Sequence, residues 1–245
     1  MKKYTASEVR RASKQRDSWW TVLVVDRIAI PLAAWVASYT NIHPTTITLL
    51  SIGAGLTSAW YFYSYDGTYF RLAMGAVLYE LCFLLDCIDG KLARLTHRGS
   101  KLGGVLDAVG DVFIFSLNLW ALAFGYRQVG LGRMDTYVIG FWILFLFFFQ
   151  FHIRVQVFRM PLMAEGGNNQ VGPTSTYLTG WAKVLSFLDR HRLSYSPVSF
   201  VEMATAALFL GPLSGYVLEG LVACVILGVV AVIFAILSIA LQKEF

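Results

Sequence analysis

Four aspartates, Asp86, Asp89, Asp107 and Asp111, fall within FLLDCIDGKLARLTHRGSKLGGVLDAVGDVF, residues 83–113, among otherwise apolar runs. The first pair is three residues apart and the second four, so each pair lies on one face of its own helix. An antiparallel hairpin around a loop at 95–100 would bring all four carboxylates together. Desolvation and mutual repulsion both disfavour the charged forms, so such a cluster must protonate, pair with bases or bind metal. The four acids themselves offer only oxygen donors, which suits Mg²⁺ or Mn²⁺ better than zinc. One or two ions fit this donor set, and a two-ion clamp, with metals about 3.5–4 Å apart, serves phosphoryl chemistry. The plainer alternative is a salt-bridged hairpin, with Lys91, Arg94, Arg98 and Lys101 neutralising the acids. Between the pairs, Gly90 and Ala93 leave space where a flat base or a phosphate can approach the backbone. Arg94 adds a planar fork for phosphate oxygens. Gly103 and Gly104 open the facing helix, either for ligand approach or for close helix packing.

The elements that must position these residues are membrane helices. Of the 245 residues, 57% are hydrophobic and 14% charged, against roughly a quarter charged in a soluble domain. Long uncharged stretches at 135–151 and 220–242 agree with a mean hydropathy of +0.60. We expect an all-α integral membrane protein with six transmembrane helices near 45–64, 70–92, 101–126, 135–159, 197–217 and 219–241. Residues 43–245 form this membrane domain, and residues 1–42 a cytoplasmic arm ending in an interfacial amphipathic helix. Asp26, Arg27 and Pro31 interrupt that last segment, which argues against a cleaved signal; the alternative is a seventh span. Trp19 and Trp20 would sit at headgroup depth. The long connection at about 160–196 contains YLTGWAKVLSFLDRHR, a candidate surface helix. Basic residues crowd the arm, the loop at 91–101 and the loop at 159–192, whereas the opposite side has only Arg71, Arg127 and Arg133. The positive-inside rule then places both termini and the aspartates on the cytoplasmic side. Cys82, Cys87 and Cys224 lack metal or disulfide spacing and read as buried apolar groups.

The pattern Asp86-x-x-Asp89-Gly90-x-x-Ala93-Arg94, then Gly103-x-x-x-Asp107-x-x-x-Asp111, resembles the signature of the CDP-alcohol phosphotransferase family at all eight fixed positions over 26 residues. Pro44-Thr45-Thr46-Ile47-Thr48 is similar to the Pro-Asn-x-x-Thr that often precedes the family's first helix, with Thr45 replacing the usual Asn. The resemblance implies cleavage of the pyrophosphate of a CDP-linked donor, release of CMP and transfer of the remaining phosphoryl group to an alcohol. It implies that Asp86, Asp89 and Asp107 hold one divalent ion, and that Asp86, Asp107 and Asp111 hold a second. It further implies that Asp111 is the general base, and that Asp86, Asp89, Gly90, Ala93, Arg94 and Gly103 form the nucleotide site. A homodimer is expected, in the cytoplasmic membrane of a prokaryote, in contact with membrane lipids and with no nucleic-acid partner.

The expected donor is CDP-diacylglycerol, with a water-soluble CDP-alcohol as the alternative. The acceptor is a small alcohol, and Arg154, Lys183, Arg190 and Arg192 are candidates to bind a phosphorylated polyol such as inositol phosphate or glycerol phosphate. Those side chains also fit snorkelling or contact with anionic headgroups. Glu80 faces away from Asp86 and would pair with a base or cap a network, and Glu202 fits a helix start better than an acceptor contact. A rival class is an ion-coupled transporter using the aspartates as its pathway. Transporters spread acids over several broken helices near the midplane, whereas here they are concentrated in one hairpin. An inactive family member kept for its interactions is a further alternative, against which the complete signature stands.

Overall fold

In the computed structural model, residues 3–99, 101–130, 136–164, 187–194, 196 and 198–242 are described. Among them the chain is helical, with one isolated bridge between Asp17 and Leu193. A short helix α1, Ala6–Ala12, opens with a capping box in which Thr5 and Glu8 satisfy each other's backbone donors. Helix α2, Thr21–Tyr39, begins with a π-turn over Thr21–Val25 and continues through Pro31 without breaking. Helix α3, Pro44–Tyr63, starts where Pro44 needs no donor, and His43 Nδ1 accepts from the Thr45 amide. Helices α4, Tyr69–Thr96, and α5, Lys101–Gln128, form the expected hairpin. His97 ends α4 in the left-handed region at φ 54°, and its N–H returns to the last turn. Helix α6, Thr136–Ala164, is followed by α7, Phe200–Ser214, with a π-turn at Ala206–Leu210, and by α8, Val217–Gln242.

Six of these helices therefore lie where membrane helices were predicted. By length and composition, three described stretches are able to cross a membrane: Thr21–Tyr39, Val109–Gln128 and Val217–Leu237. The first of these modifies the expectation that residues 19–40 are too interrupted to span. Asp26 is buried in an ion pair and Pro31 is absorbed, so the segment is one apolar helix of 19 residues. Only the end of the candidate surface helix at 177–192 falls among described residues, as one helical turn at 187–190.

Two apolar clusters hold the molecule together. The larger joins Phe62 of α3, Phe115, Leu119 and Leu122 of α5, Ile143 of α6, Met203 and Leu208 of α7 and Leu221 of α8. Between membrane helices, close packing and hydrogen bonds take over from the hydrophobic effect. At Gly125 a Cβ would stand 2.0 Å from the Phe62 carbonyl oxygen, so α3 and α5 touch backbone to backbone there. Asn118 Nδ2 donates to the Gly55 carbonyl at 3.0 Å, and Ser58 Oγ to the Gly75 carbonyl at 2.7 Å, tying α3 to α5 and α4. The smaller cluster seats Val9 of α1 and Val25, Ala29, Ile30 and Ala33 of α2 against Ile88 and Leu92 of α4. The outer face of α2 carries Leu23, Ile28, Leu32 and Trp35, with Arg27 exposed among them.

Candidate active site

The hairpin delivers the aspartates as their spacing requires. Asp86, Asp89 and Asp107 each present a carboxylate oxygen within 4.8 Å of the others. Asp86 and Asp107, one from each helix, are close enough to share a hydrogen bond. Asp89 is 5% exposed, and Asp86 and Asp107 are half-buried. Asp111 stands one turn beyond Asp107 and lies outside this closest group, but it lines the same cavity. The fit to a hard divalent cation is good: the donors are all carboxylate oxygens, they converge from two helices, and apolar side chains such as Phe83 and Ile114 surround them. None of the predicted neutralising bases forms an ion pair with the cluster among the described residues. Lys91 turns away and pairs with Asp26 of α2 at 2.8 Å, both side chains being at most 5% exposed.

Two cavities meet at the carboxylates. The inner one, about 180 Å³, is bounded by Asp86, Asp107 and Asp111, with Tyr79, Phe83 and Phe200 behind them. The outer one, about 1010 Å³, is lined by Asp89, Gly90, Ala93, Arg94, Gly104 and Arg98, and by Arg11 of α1. Gly90 and Arg94 belong to both walls. The Arg94 guanidinium lies over Gly90, where an added Cβ would meet Nη2 at 3.4 Å. A Cβ at Gly90 would thus meet only the flexible Arg94 side chain, so this glycine is not required by helix packing. Gly103 lies on the first turn of α5, and its surroundings fall outside the described residues.

Of the proposed acceptor ligands, Lys183 lies outside the described residues, and Arg154 is placed only as part of α6. Arg190 is exposed on the turn before α7. Arg192 is engaged elsewhere, with Nη1 3.2 Å from Asp26 and Nη2 2.7 Å from the Lys14 carbonyl. Glu202 caps α7 from its third position, accepting from the Ser199 amide at 2.7 Å, as expected for a helix-start carboxylate. Glu80 accepts from the Trp20 indole at 2.9 Å rather than from a base.

Thr48 is a site residue to which the sequence assigned no role beyond a motif position. Its hydroxyl donates to Asp89 Oδ2 at 2.5 Å, fixing that carboxylate's orientation from the neighbouring helix. The available signal was its place at the end of Pro44-Thr45-Thr46-Ile47-Thr48, one turn into α3.

A helical hairpin that gathers carboxylates between an arginine-lined groove and a small cavity bounded by acids defines a candidate centre for handling phosphate esters. The family model described as CDP-alcohol phosphatidyltransferase matches residues 41–237, and the chain belongs to that family. Over 104 residues it is 31% identical to the CDP-diacylglycerol–serine O-phosphatidyltransferase of Helicobacter pylori strain 26695, covering 42% of each chain. It is 28% identical over 133 residues to the bifunctional IPC transferase and DIPP synthase of Archaeoglobus fulgidus, covering 51% of this chain and 26% of that one. It is also 29% identical over 106 residues to the phosphatidylinositol phosphate synthase of Mycobacterium marinum, covering 42% and 43%. The chain thus spans well under half the length of each of these relatives.

Proposed function

We propose that this protein transfers a substituted phosphoryl group, most simply a phosphatidyl group, from a CDP-linked donor to the hydroxyl of a small alcohol, with release of CMP. The observation that carries this reading is the convergence of Asp86, Asp89 and Asp107 within 4.8 Å at the junction of the two cavities. In the family reading, Asp86, Asp89 and Asp107 would hold one Mg²⁺ or Mn²⁺, and Asp86, Asp107 and Asp111 would hold a second. The chemistry supplied by such ions would be neutralisation of the pyrophosphate and a lower pKa for an oxygen nucleophile.

The chain's own residues supply the rest. Arg94, Arg98 and Arg11 give the outer cavity a cationic lining for the nucleotide phosphates, and Gly90 and Ala93 let the base lie against the helix backbone. Arg94 stabilises negative charge as it develops on the departing CMP. Asp111 faces the inner cavity, where it takes the proton of an acceptor hydroxyl. Thr48 keeps Asp89 oriented. Carbon, phosphorus and charge balance as a simple displacement: the phosphorus–oxygen bond to CMP breaks as the bond to the alcohol oxygen forms.

CDP-diacylglycerol is favoured as donor because the outer cavity lies beside apolar helix faces that can accept acyl chains, including Leu49 and Leu50 of α3. The name of the Helicobacter relative supports the same donor. We read six spans with both termini cytoplasmic, and α2 as lying along the interface. Asp26 meets Lys91 within one turn of the aspartates, and α2 packs on the Phe83–Leu95 half of α4, so it runs at the depth of the site. The active form is taken to be a homodimer. The test is direct: purified protein is offered CDP-diacylglycerol or soluble CDP-alcohols with a panel of alcohols, and CMP is measured. Metal-dependent CMP release that requires an alcohol is expected. Its absence from every pair refutes the proposal.

A further inference from the structure

The inner cavity has a wall that the family signature does not supply. Lys14 and Asp17, from the arm between α1 and α2, line it together with Asp86, Asp107 and Asp111. The segment ahead of α7 fastens this arm in place. The Asp17 amide donates to the Arg192 carbonyl at 3.0 Å, the Ser194 amide donates to the Asp17 carbonyl at 2.9 Å, and Arg16 pairs with Asp189 at 2.7 Å. The Arg192 guanidinium grips the Lys14 carbonyl through Nε at 3.2 Å and Nη2 at 2.7 Å, while its third nitrogen meets buried Asp26. Arg192 itself is held at φ 60°, a region that residues with a Cβ seldom occupy and that persists only where surrounding contacts over-determine it.

These bonds fix the backbone of Lys14 but not its ammonium, which makes no hydrogen bond or ion pair among the described residues. Among the described residues, three cations line the inner cavity: Lys14, Lys91 and Arg94. Lys91 is neutralised by Asp26, and Arg94 lies over Gly90 on the nucleotide side. Among the described cations of this cavity, Lys14 is therefore the one that neither pairs with a carboxylate nor lies over Gly90, and it lines the cavity together with Asp111. A cavity of about 180 Å³ is small beside the ~300–1,000 Å³ of pockets for drug-sized ligands, so its occupant is a small polar molecule.

We propose that Lys14 selects the acceptor, binding an oxyanion on the alcohol, a phosphate or a carboxylate, while Asp111 faces its hydroxyl. Arg192 is a positioning residue that acts through Lys14. The proposal rests on the transferase reading above. The test uses the full-length protein with the metal and donor that support CMP release. The acceptors are inositol phosphate and glycerol phosphate, serine as the carboxylate case, and inositol and glycerol as neutral controls. Lys14→Gln raises KM for the anionic acceptor by roughly ten- to a hundredfold, the range of a lost charged hydrogen bond, and leaves kcat and the donor KM nearly unchanged. Lys14→Arg restores the KM, and Arg192→Gln shifts the same constant in the same direction. Which anionic acceptor responds tells phosphate from carboxylate. Unchanged KM for every anionic acceptor in Lys14→Gln, or wild-type preference for a neutral polyol, overturns this inference alone. A wild type that releases no CMP with any pair overturns both it and the transferase reading.

Discussion

Replacing Thr48 by Val isolates the contribution of a single hydroxyl to the carboxylate cluster. The side chain keeps its shape and its branched Cβ, while the 2.5 Å hydrogen bond to Asp89 Oδ2 is lost together with a longer 3.2 Å contact to the Pro44 carbonyl of its own helix. Asp89 is 5% exposed, so little water can replace that donor. A hydrogen bond to a charged group is worth about 1.5–3 kcal/mol, and loss of a residue that orients a metal ligand typically weakens metal binding ~10–100-fold. The expected result is a rise of that size in the Mg²⁺ or Mn²⁺ concentration giving half-maximal CMP release, with turnover recovered at saturating metal. Direct Mn²⁺ binding by electron paramagnetic resonance should shift in parallel. Thr57→Val is the control, because that exposed hydroxyl bonds to the Gly53 carbonyl of its own helix at 2.7 Å and lies away from the site. An unchanged metal midpoint in Thr48→Val refutes the argument that Thr48 orients a metal ligand. Loss of turnover that saturating metal fails to relieve refutes it equally.

Asp111→Asn should retain donor binding and the ion assigned to Asp86, Asp89 and Asp107, while turnover at saturating metal falls by roughly 10²–10⁴, the usual contribution of a positioned base; unchanged CMP release rules out that role. Lys91→Met leaves buried Asp26 with Arg192 as its remaining partner, and breaking a buried pair costs about 3–5 kcal/mol. Its melting temperature in detergent should drop while the metal midpoint of the folded fraction stays put, whereas a shifted midpoint would return Lys91 to the cluster. Gly125→Ala forces a methyl to within 2.0 Å of the Phe62 carbonyl oxygen, and overpacking of this kind costs about 1–3 kcal/mol or more. An unaltered thermal transition would contradict the backbone contact between α3 and α5.

The hairpin was legible because its information is local. Spacings of three and four residues within helices, and a loop too short to do anything but reverse the chain, determine how Asp86, Asp89 and Asp107 meet. The cap formed by Ser199 and Glu202 is equally local, a polar residue followed three positions later by a carboxylate. Partnerships between distant segments were not legible. Lys91 reads as a neighbour of the aspartates one or two turns away, yet a buried carboxylate 65 positions earlier in the sequence, Asp26, claims it. Asp26 in turn looked like an interruption of an apolar segment, because its two cationic partners lie on other elements. Arg192 resembled a ligand for substrate phosphate, since basic character alone does not reveal that its nitrogens are engaged by Asp26 and the Lys14 backbone. Thr48 was visible only as a motif position, because hydroxyls at helix starts serve many purposes, and only packing shows which acceptor one meets.

Phosphorus NMR of the complete reaction tests the central claim most directly. With purified protein, divalent metal, a CDP-linked donor and an alcohol, the pyrophosphate resonances should disappear as those of CMP and a new phosphodiester grow in equal amounts. They should do so only when metal and alcohol are both present. Pyrophosphate signals that persist under every combination, or that decay to CMP and a phosphomonoester regardless of the alcohol, would contradict transfer at the Asp86–Asp89–Asp107 site.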